Sequence, residues 1–406
     1  MKPLGLMLAL AALLATGCRT AEDRDQDERL IDALNDNVQM AHAMQARTKQ
    51  DAQVREALKG TRKQLPGRVS HEALDHTADT LAELVEARGV VGHEAPVREV
   101  LIELLREINP RWRPVTDAAG NLILTLGRGE RTLVFVAHMD EIGLEVDEIG
   151  AEGLLRAHKQ GGYYDHTFDG CAIELITSRG ILPGTCRLAD DPDEGYLIDV
   201  GAETADQARE WGVAVGDAAT RKKELTRLGP HRAAGTSNDD RVGCAALLLA
   251  LEQLDTEALD RTVVFAWVTA EEIGLVGADH MAREMDRDVE VAFPVDTFVT
   301  SDNPRDDPYY AYAPLGNGPV LRALDSRSQT PRAVLDRVRS IASRHRVPLQ
   351  TGTMGGGNDG SRFVPEGAID CPLAWPQRNS HSRVETMDLR DVHDLGRLVA
   401  AVAAEY

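Results

Sequence analysis

The sequence has 406 residues and a formal net charge of −21, from 45 Lys and Arg against 66 Asp and Glu. A chain this acidic binds phosphate backbones poorly, so we expect no nucleic-acid partner. The length exceeds that of one ordinary domain, and an apolar content of 43% suffices for a large core.

Residues 1–17 have the organisation of a bacterial signal peptide. Lys2 precedes a short apolar stretch, and small residues come directly before Cys18. The arrangement resembles a lipobox, in which Cys18 becomes the lipidated N-terminus of the mature protein; an ordinary cleaved signal is the alternative. Because Arg19 rather than an Asp follows, the resemblance favours the outer membrane of a Gram-negative cell envelope, with the protein facing the periplasm. Residues 18–72 are polar and are interpreted as a helical tether.

Residues 73–144 are predicted to be the first part of a folded domain. Two segments of helical spacing come before predicted strands at Leu122–Leu126 and Thr132–Ala137. The second strand leads into AHMDEIGLEV, where His138 and Asp140 lie two residues apart and therefore on one side of an extended chain. At the end of a buried strand, this spacing indicates a metal-binding imidazole whose second nitrogen is held by a carboxylate.

Residues 145–235 have a different character, because helical periodicity disappears and short alternating runs stand between Gly and Pro turns. We predict an inserted β-barrel here. The predicted strands include Ala172–Thr177, Gly195–Asp199 and Val213–Gly216. An exported location would permit a disulfide between Cys171 and Cys186, although nothing in the sequence requires one.

Residues 236–254, TSNDDRVGCAALLLALEQL, return to the first domain with a buried helix. Asn238 or Asp239 is predicted to cap this helix, and the pair Asp239–Asp240 lies at its positive end. Helix capping by itself readily explains one of these two carboxylates, but not both.

Residues 262–268, TVVFAWV, are predicted to form a buried strand that delivers the adjacent Glu271 and Glu272 at its carboxyl end, where open α/β sheets bind ligands. Two neighbouring like charges require a cation or a shared proton nearby. A further apolar strand is predicted to end at Asp296, and a loop after the last strand carries His381. The Gly-rich segment around Asp359 is predicted to be a tight turn near the site.

Five segments thus bring a possible metal ligand to a strand end or helix start: His138, Asp239 or Asp240, Glu272, Asp296 and His381. Two imidazoles and three carboxylates are too many for one tetrahedral zinc ion, and they suit two divalent ions about 3.5–4 Å apart with a bridging carboxylate. Glu271 remains beside a ligand, where it can act as a general base.

The ordered motifs AHMDEIGLEV, NDDRVG, TAEEIGLVGA, PVDT and NSHSRVE resemble the tetrahedral, glutamyl and deblocking aminopeptidase family of clan MH, over roughly residues 75–406. The resemblance implies an α/β catalytic domain, residues 73–144 and 236–406, with a mixed sheet flanked by helices. It also implies that residues 145–235 form a small β-barrel for dimerisation, so that the protein is a homo-oligomer, a dimer or larger.

The resemblance further implies a metalloaminopeptidase that hydrolyses N-terminal residues from peptides with two zinc or cobalt ions per subunit. The implied roles are His138 and Asp296 on one metal, Glu272 and His381 on the other, Asp239 as the bridge, Glu271 as the base and Asp140 as the group that orients His138. A cis peptide between Asp239 and Asp240 is also implied. The alternatives are another di-metal amide or N-acyl hydrolase and a degenerate peptidase-like binding protein; the intact ligand set argues against the latter.

Overall fold

The computed structural model describes residues 69–191, 194–300, 302 and 312–406. The predicted signal peptide, Cys18 and nearly all of the predicted tether lie outside these residues. In the part of the chain that is described, no helix has the length and apolar character needed to cross a bilayer.

The described chain contains both helices and strands. The helices are α1 (His71–Glu86), α2 (Ala95–Ile108), α3 (Ala205–Glu210), α4 (Asn238–Gln253), α5 (Val276–Glu284), α6 (Arg332–Arg344) and α7 (Leu389–Glu405). The strands are β1 (Val115–Thr116), β2 (Leu122–Gly127), β3 (Thr132–His138), β4 (Gly143–Ile149), β5 (Leu155–Gln160), β6 (Cys171–Thr177), β7 (Gly180–Leu188), β8 (Tyr196–Asp199), β9 (Ala218–Arg221), β10 (Leu225–Leu228), β11 (Arg232–Gly235), β12 (Thr262–Val268), β13 (Val289–Val299), β14 (Val320–Leu324), β15 (Gln350–Thr353), β16 (Ile369–Asp370), β17 (Leu373–Gln377) and β18 (Glu385–Asp388).

A mixed sheet with the order β1-β2-β12-β3-β13-β17-β14-β15 forms the centre of the fold. Strands β12, β3, β13 and β17 are parallel neighbours, so their carboxyl ends meet at one edge. The strand that contains Asp296 was predicted to end at this residue, and this prediction is wrong. Strand β13 pairs with β3 as far as Pro294 and then continues beside β17 to Val299, because β17 supplies a new hydrogen-bonding partner.

Both faces of this sheet are buried, which explains the near-continuous apolar runs in its central strands. Leu133 and Phe135 pack into the core formed with α1, α2, α4, α6 and α7, whereas Val134 and Val136 face α5. Phe135 stacks between Phe265 and Phe293, with ring centroids 5.4 and 5.1 Å apart. The predicted α/β class with helices on a mixed sheet is confirmed.

A closed antiparallel barrel, β4-β5-β8-β7-β6-β9, is inserted between β3 and α4 and confirms the predicted barrel. Residues Val213–Gly216 form turns rather than the predicted strand, and the barrel closes instead through Ala218–Arg221. The hairpin β10–β11 lies within the range predicted for the insert, yet it pairs with β18 outside the barrel. Cys171 and Cys186 are opposite each other on β6 and β7, and both thiols are free.

A buried charge network joins the end of the barrel to the sheet. Lys223 Nζ and Ser237 Oγ both donate to Glu141 Oε2, and the Gly89 N–H donates to Glu141 Oε1 at 2.9 Å. Arg241 Nη2 lies 3.5 Å from the same Oε1. Burial alone would raise the pKa of Glu141, but the cations Lys223 and Arg241 lower it to about 2.

Replacing Lys223 with Met is expected to lower the free energy of unfolding by about 3–5 kcal/mol, because Glu141 would stay buried without its nearest cation. Chemical denaturation measures this loss. The control is the double variant Lys223→Met/Glu141→Gln, which removes both charges and should recover about 1 kcal/mol or more. If the double variant lost as much free energy of unfolding as Lys223→Met and Glu141→Gln added together, the two charges would not be coupled.

Candidate metal centre

The predicted ligands converge at the carboxyl edge of the central sheet. His138 ends β3 opposite Val268, the last residue of β12, so the loop carrying Glu271 and Glu272 begins beside it. The ligand atoms form three overlapping groups, each within 4.8 Å: His138 with Glu271 and Glu272; His138 with Asp239 and Asp296; and Asp239 with Glu272 and His381. The structure therefore brings together side chains from five separate segments.

The two adjacent acids at the start of α4 point in different directions. Asp239 Oδ1 lies 3.2 Å from His138 Nε2 and its Oδ2 lies 3.4 Å from His381 Nε2, so this carboxylate stands between the two imidazoles. Asp240 accepts the N–H groups of His138 at 2.8 Å and Gly243 at 3.0 Å, and is fully buried. The Asp239–Asp240 peptide is cis.

The cap of α4 differs from the prediction. Asp240, not Asn238 or Asp239, accepts the Gly243 N–H three residues on, as an N-cap residue does. Residue 243 has to be Gly, because a Cβ there would lie 2.2 Å from Asp240 Oδ1 and 2.6 Å from the Val295 carbonyl oxygen. Asp239 is thereby left to face the imidazoles.

Asp140 connects His138 to the Glu271–Glu272 loop. His138 Nδ1 lies 3.2 Å from the Asp140 backbone oxygen and 3.4 Å from Asp140 Oδ1. The two carboxylate oxygens of Asp140 also accept the N–H groups of Glu271 at 2.9 Å and Glu272 at 3.0 Å. Burial alone would lower the pKa of His138, but hydrogen bonds with Asp140 and Asp239 raise it.

The two glutamates differ in their contacts. Glu272 Oε1 lies 3.1 Å from His381 Nε2, whereas Glu271 Oε2 lies 4.0 Å from His138 Nε2. Burial raises the pKa of Glu271 well above its usual range; His138 opposes this shift and Glu272 adds to it. Glu271 is therefore held less closely by a neighbouring imidazole than Glu272 is.

The loop that carries His381 rests on the barrel. His381 Nδ1 donates to the Gly162 carbonyl oxygen at 2.6 Å, which directs Nε2 towards Asp239 and Glu272. Thr167 Oγ1 donates to the His381 carbonyl oxygen at 3.2 Å. The barrel thus helps to orient one of the candidate ligands.

Two further residues, neither of them assigned a role from the sequence, hold the candidate ligands in place. Glu385 accepts the N–H groups of Asp239 at 3.2 Å and His381 at 3.0 Å. Arg322 is 1% exposed and donates to Asp296 Oδ2 at 3.1 Å. A cation in the otherwise apolar strand VLRAL was the available signal for Arg322, and Glu385 is the final residue of NSHSRVE.

The donor set fits divalent cations. The three ligand groups of the described residues contain carboxylate oxygens and imidazole nitrogens and include no thiol. Negative charge is in excess around them, since two imidazoles stand against four carboxylates. Glu272 Oε1 is buried without a well-aligned hydrogen-bond donor, despite its 3.1 Å distance from His381 Nε2. A bound cation would satisfy this oxygen and offset the buried charge.

Comparisons with known proteins identify the family to which the chain is similar. The family model for M42 glutamyl aminopeptidases matches residues 120–398. The lysyl aminopeptidase of Pyrococcus furiosus is 30% identical over 346 residues, which cover 80% of this chain and 96% of that protein.

Solved structures show the same fold. The TET1 peptidase of Pyrococcus horikoshii, which can assemble into a tetrahedron or a large octahedral shell, is 34% identical with a TM-score of 0.72, covering 81% of this chain and 100% of that one. An aminopeptidase from the archaeon Desulfurococcus kamchatkensis is 28% identical with a TM-score of 0.75, covering 82% and 96%. The sequence motifs, the fold and the assembled ligand groups lead to one conclusion: the chain belongs to the M42 glutamyl aminopeptidase family.

Proposed function

We propose that this protein is a two-metal aminopeptidase that removes N-terminal residues from peptides. The observation that carries the proposal is the position of Asp239 between two ligand groups, one with His138 and Asp296 and the other with Glu272 and His381. A carboxylate with one oxygen directed to each group is suited to bridge two ions.

The metals would be two divalent ions per subunit, zinc or cobalt, both of which accept imidazole and carboxylate ligands. Ions bound there would polarise the scissile carbonyl group and lower the pKa of a water molecule. Asp140, Glu385 and Arg322 would hold the ligands in place through the contacts described above.

Glu271 is the candidate general base. Its carboxylate lies beside His138 and Glu272, and its contacts leave it free to accept a proton from the attacking water and to donate it to the leaving amine.

Replacing Glu271 with Gln is expected to lower kcat by about 100-fold to 10,000-fold, because the proton acceptor is lost while the side-chain volume is kept. The bound metal should stay at two ions per subunit. Hydrolysis of a panel of aminoacyl-p-nitroanilides, together with elemental analysis, measures both quantities.

The neighbouring variant Glu272→Gln is the matched control. It makes the same chemical change one residue away, and it should lower metal content because Glu272 belongs to the group with Asp239 and His381. Full turnover by Glu271→Gln would exclude Glu271 as the base. Two bound metals without hydrolysis of any aminoacyl substrate by the unchanged protein would favour another di-metal amide or N-acyl hydrolase.

We also propose that the protein forms homo-oligomers, dimers or larger, through the barrel. The proposal is supported by the TET1 relative, which assembles into closed shells, and by the apolar side chains that the barrel region exposes, Tyr164, Ile181 and Val215.

Light scattering coupled to size-exclusion chromatography is expected to give a mass of at least two subunits for residues 69–406. A monomeric mass at micromolar concentration would contradict assembly through the folded part of the chain.

Finally, we propose that the protein is exported and lipid-anchored through Cys18, with the outer membrane as its destination in a Gram-negative cell. The support is the pattern of residues 1–18. Replacing Cys18 with Ser is expected to move the protein from the membrane fraction to the soluble fraction, because the acylation site is lost. Cell fractionation with immunoblotting tests this, and an unchanged membrane fraction would contradict the anchor.

A further inference from the structure

Asp359 is a buried carboxylate for which the metal centre has no assigned use. It begins the short 3₁₀ turn Asp359–Arg362, which packs against α5, β13 and β3. The residue is 3% exposed, and its Oδ1 is buried without a hydrogen-bond partner among the described residues. A carboxylate oxygen that is buried without a hydrogen-bond donor destabilises the fold unless a bound ligand or water supplies the donor.

The turn that carries Asp359 contacts the loop that carries the base, because Arg362 of this turn donates to the Gly274 carbonyl oxygen. The charge of Asp359 helps to raise the pKa of Glu271. Burial disfavours the charged form of Asp359 and raises its pKa, whereas a cation bound beside the carboxylate favours the charged form. None of the three ligand groups found in the described chain includes Asp359, so its position differs from that of a metal ligand.

The cation within the same turn is engaged elsewhere. Arg362 Nη2 donates to the Gly274 carbonyl oxygen at 2.6 Å, and Arg362 Nη1 lies 3.8 Å from Asp279 Oδ1. No ion pair within 4 Å joins Asp359 to another residue of the described chain. The described chain therefore supplies no ion-pair partner for this carboxylate.

The other buried carboxylates that support the site have backbone donors. Each of these accepts two backbone N–H groups: Asp140, Asp240 and Glu385. Asp370 is also 3% exposed and has an unpartnered Oδ1, but its Oδ2 accepts hydrogen bonds from Ser328 and Asn358. Asp359 differs from these four carboxylates, because no hydrogen bond to either of its carboxylate oxygens is found in the described chain.

We propose that Asp359 binds the α-ammonium group of the substrate's N-terminal residue. The inference rests on the proposed aminopeptidase function, which requires the enzyme to distinguish a free amino terminus from a blocked one. A carboxylate attracts an ammonium group strongly in a site shielded from water, whereas two divalent ions repel it. The α-amine is two bonds from the scissile carbonyl carbon, so its anchor has to lie near the metal centre. The turn that carries Asp359 meets this requirement, since it packs against β3 and β13, the strands of His138 and Asp296.

The kinetic test replaces Asp359 with Asn, which keeps the size of the side chain and removes its charge. Two substrates are compared: the aminoacyl-p-nitroanilide that the unchanged enzyme cleaves best, and the matching acyl-p-nitroanilide without the α-amine. The preference for the free amine, as a ratio of kcat/KM values, is expected to fall about 10-fold to 100-fold, mainly through KM. The control variant Asp370→Asn makes the same change at an equally buried carboxylate and should leave the ratio unchanged.

A binding measurement gives a readout besides turnover. Titration calorimetry on the zinc-loaded protein compares the amino alcohol of the preferred residue, or leucinol if no residue is preferred, with the corresponding alcohol lacking the amine. The unchanged protein should bind the amino alcohol more tightly, and Asp359→Asn should lose about 10-fold to 100-fold of that difference while keeping two bound metals.

If Asp359→Asn kept the full preference for the free amine, the proposal would be overturned. Loss of one bound metal in this variant would also overturn it, because Asp359 would then be a metal ligand. Failure of the underlying function has a different signature, because the unchanged, metal-loaded protein would then cleave no aminoacyl-p-nitroanilide. The calorimetric comparison would still decide whether Asp359 recognises an amine.

Discussion

Buried negative charge at one edge of the central sheet is the constraint on which the rest of the structure depends. Four carboxylates, from Asp239, Glu271, Glu272 and Asp296, share this edge with two imidazoles. Bare carboxylates at such distances repel one another strongly in a medium of low polarity. The arrangement is tenable because backbone dipoles and one buried Arg hold the groups, and because it leaves a place for cations.

Four of the five ligand-bearing segments are tied to one another by further carboxylates that accept backbone N–H groups. Asp140 joins the end of β3 to the loop after β12, Asp240 joins the start of α4 to His138, and Glu385 joins Asp239 to the His381 loop. Because these acids accept backbone N–H groups, they fix the path of the chain. The ligand directions then follow from that path.

The inserted barrel takes part in the same construction. Gly162 and Thr167 contact His381, and Arg221 donates to the Ser382 carbonyl oxygen in the same loop. Lys223, just after the last barrel strand, is the buried partner of Glu141. The insert between His138 and Asp239 therefore supports the metal centre physically, in addition to any role in assembly.

The sequence by itself determined the buried strands, the order of the ligand motifs and the residue types at the site, because these follow from local periodicity and from chemistry carried within short segments. Tertiary structure alone decided that Asp240 rather than Asn238 or Asp239 caps α4, that β13 continues past Asp296, and that Arg322 and Glu385 hold the ligands. Each of these outcomes depends on side-chain direction and on pairing between segments far apart in the chain, and periodicity within one segment carries no information about either.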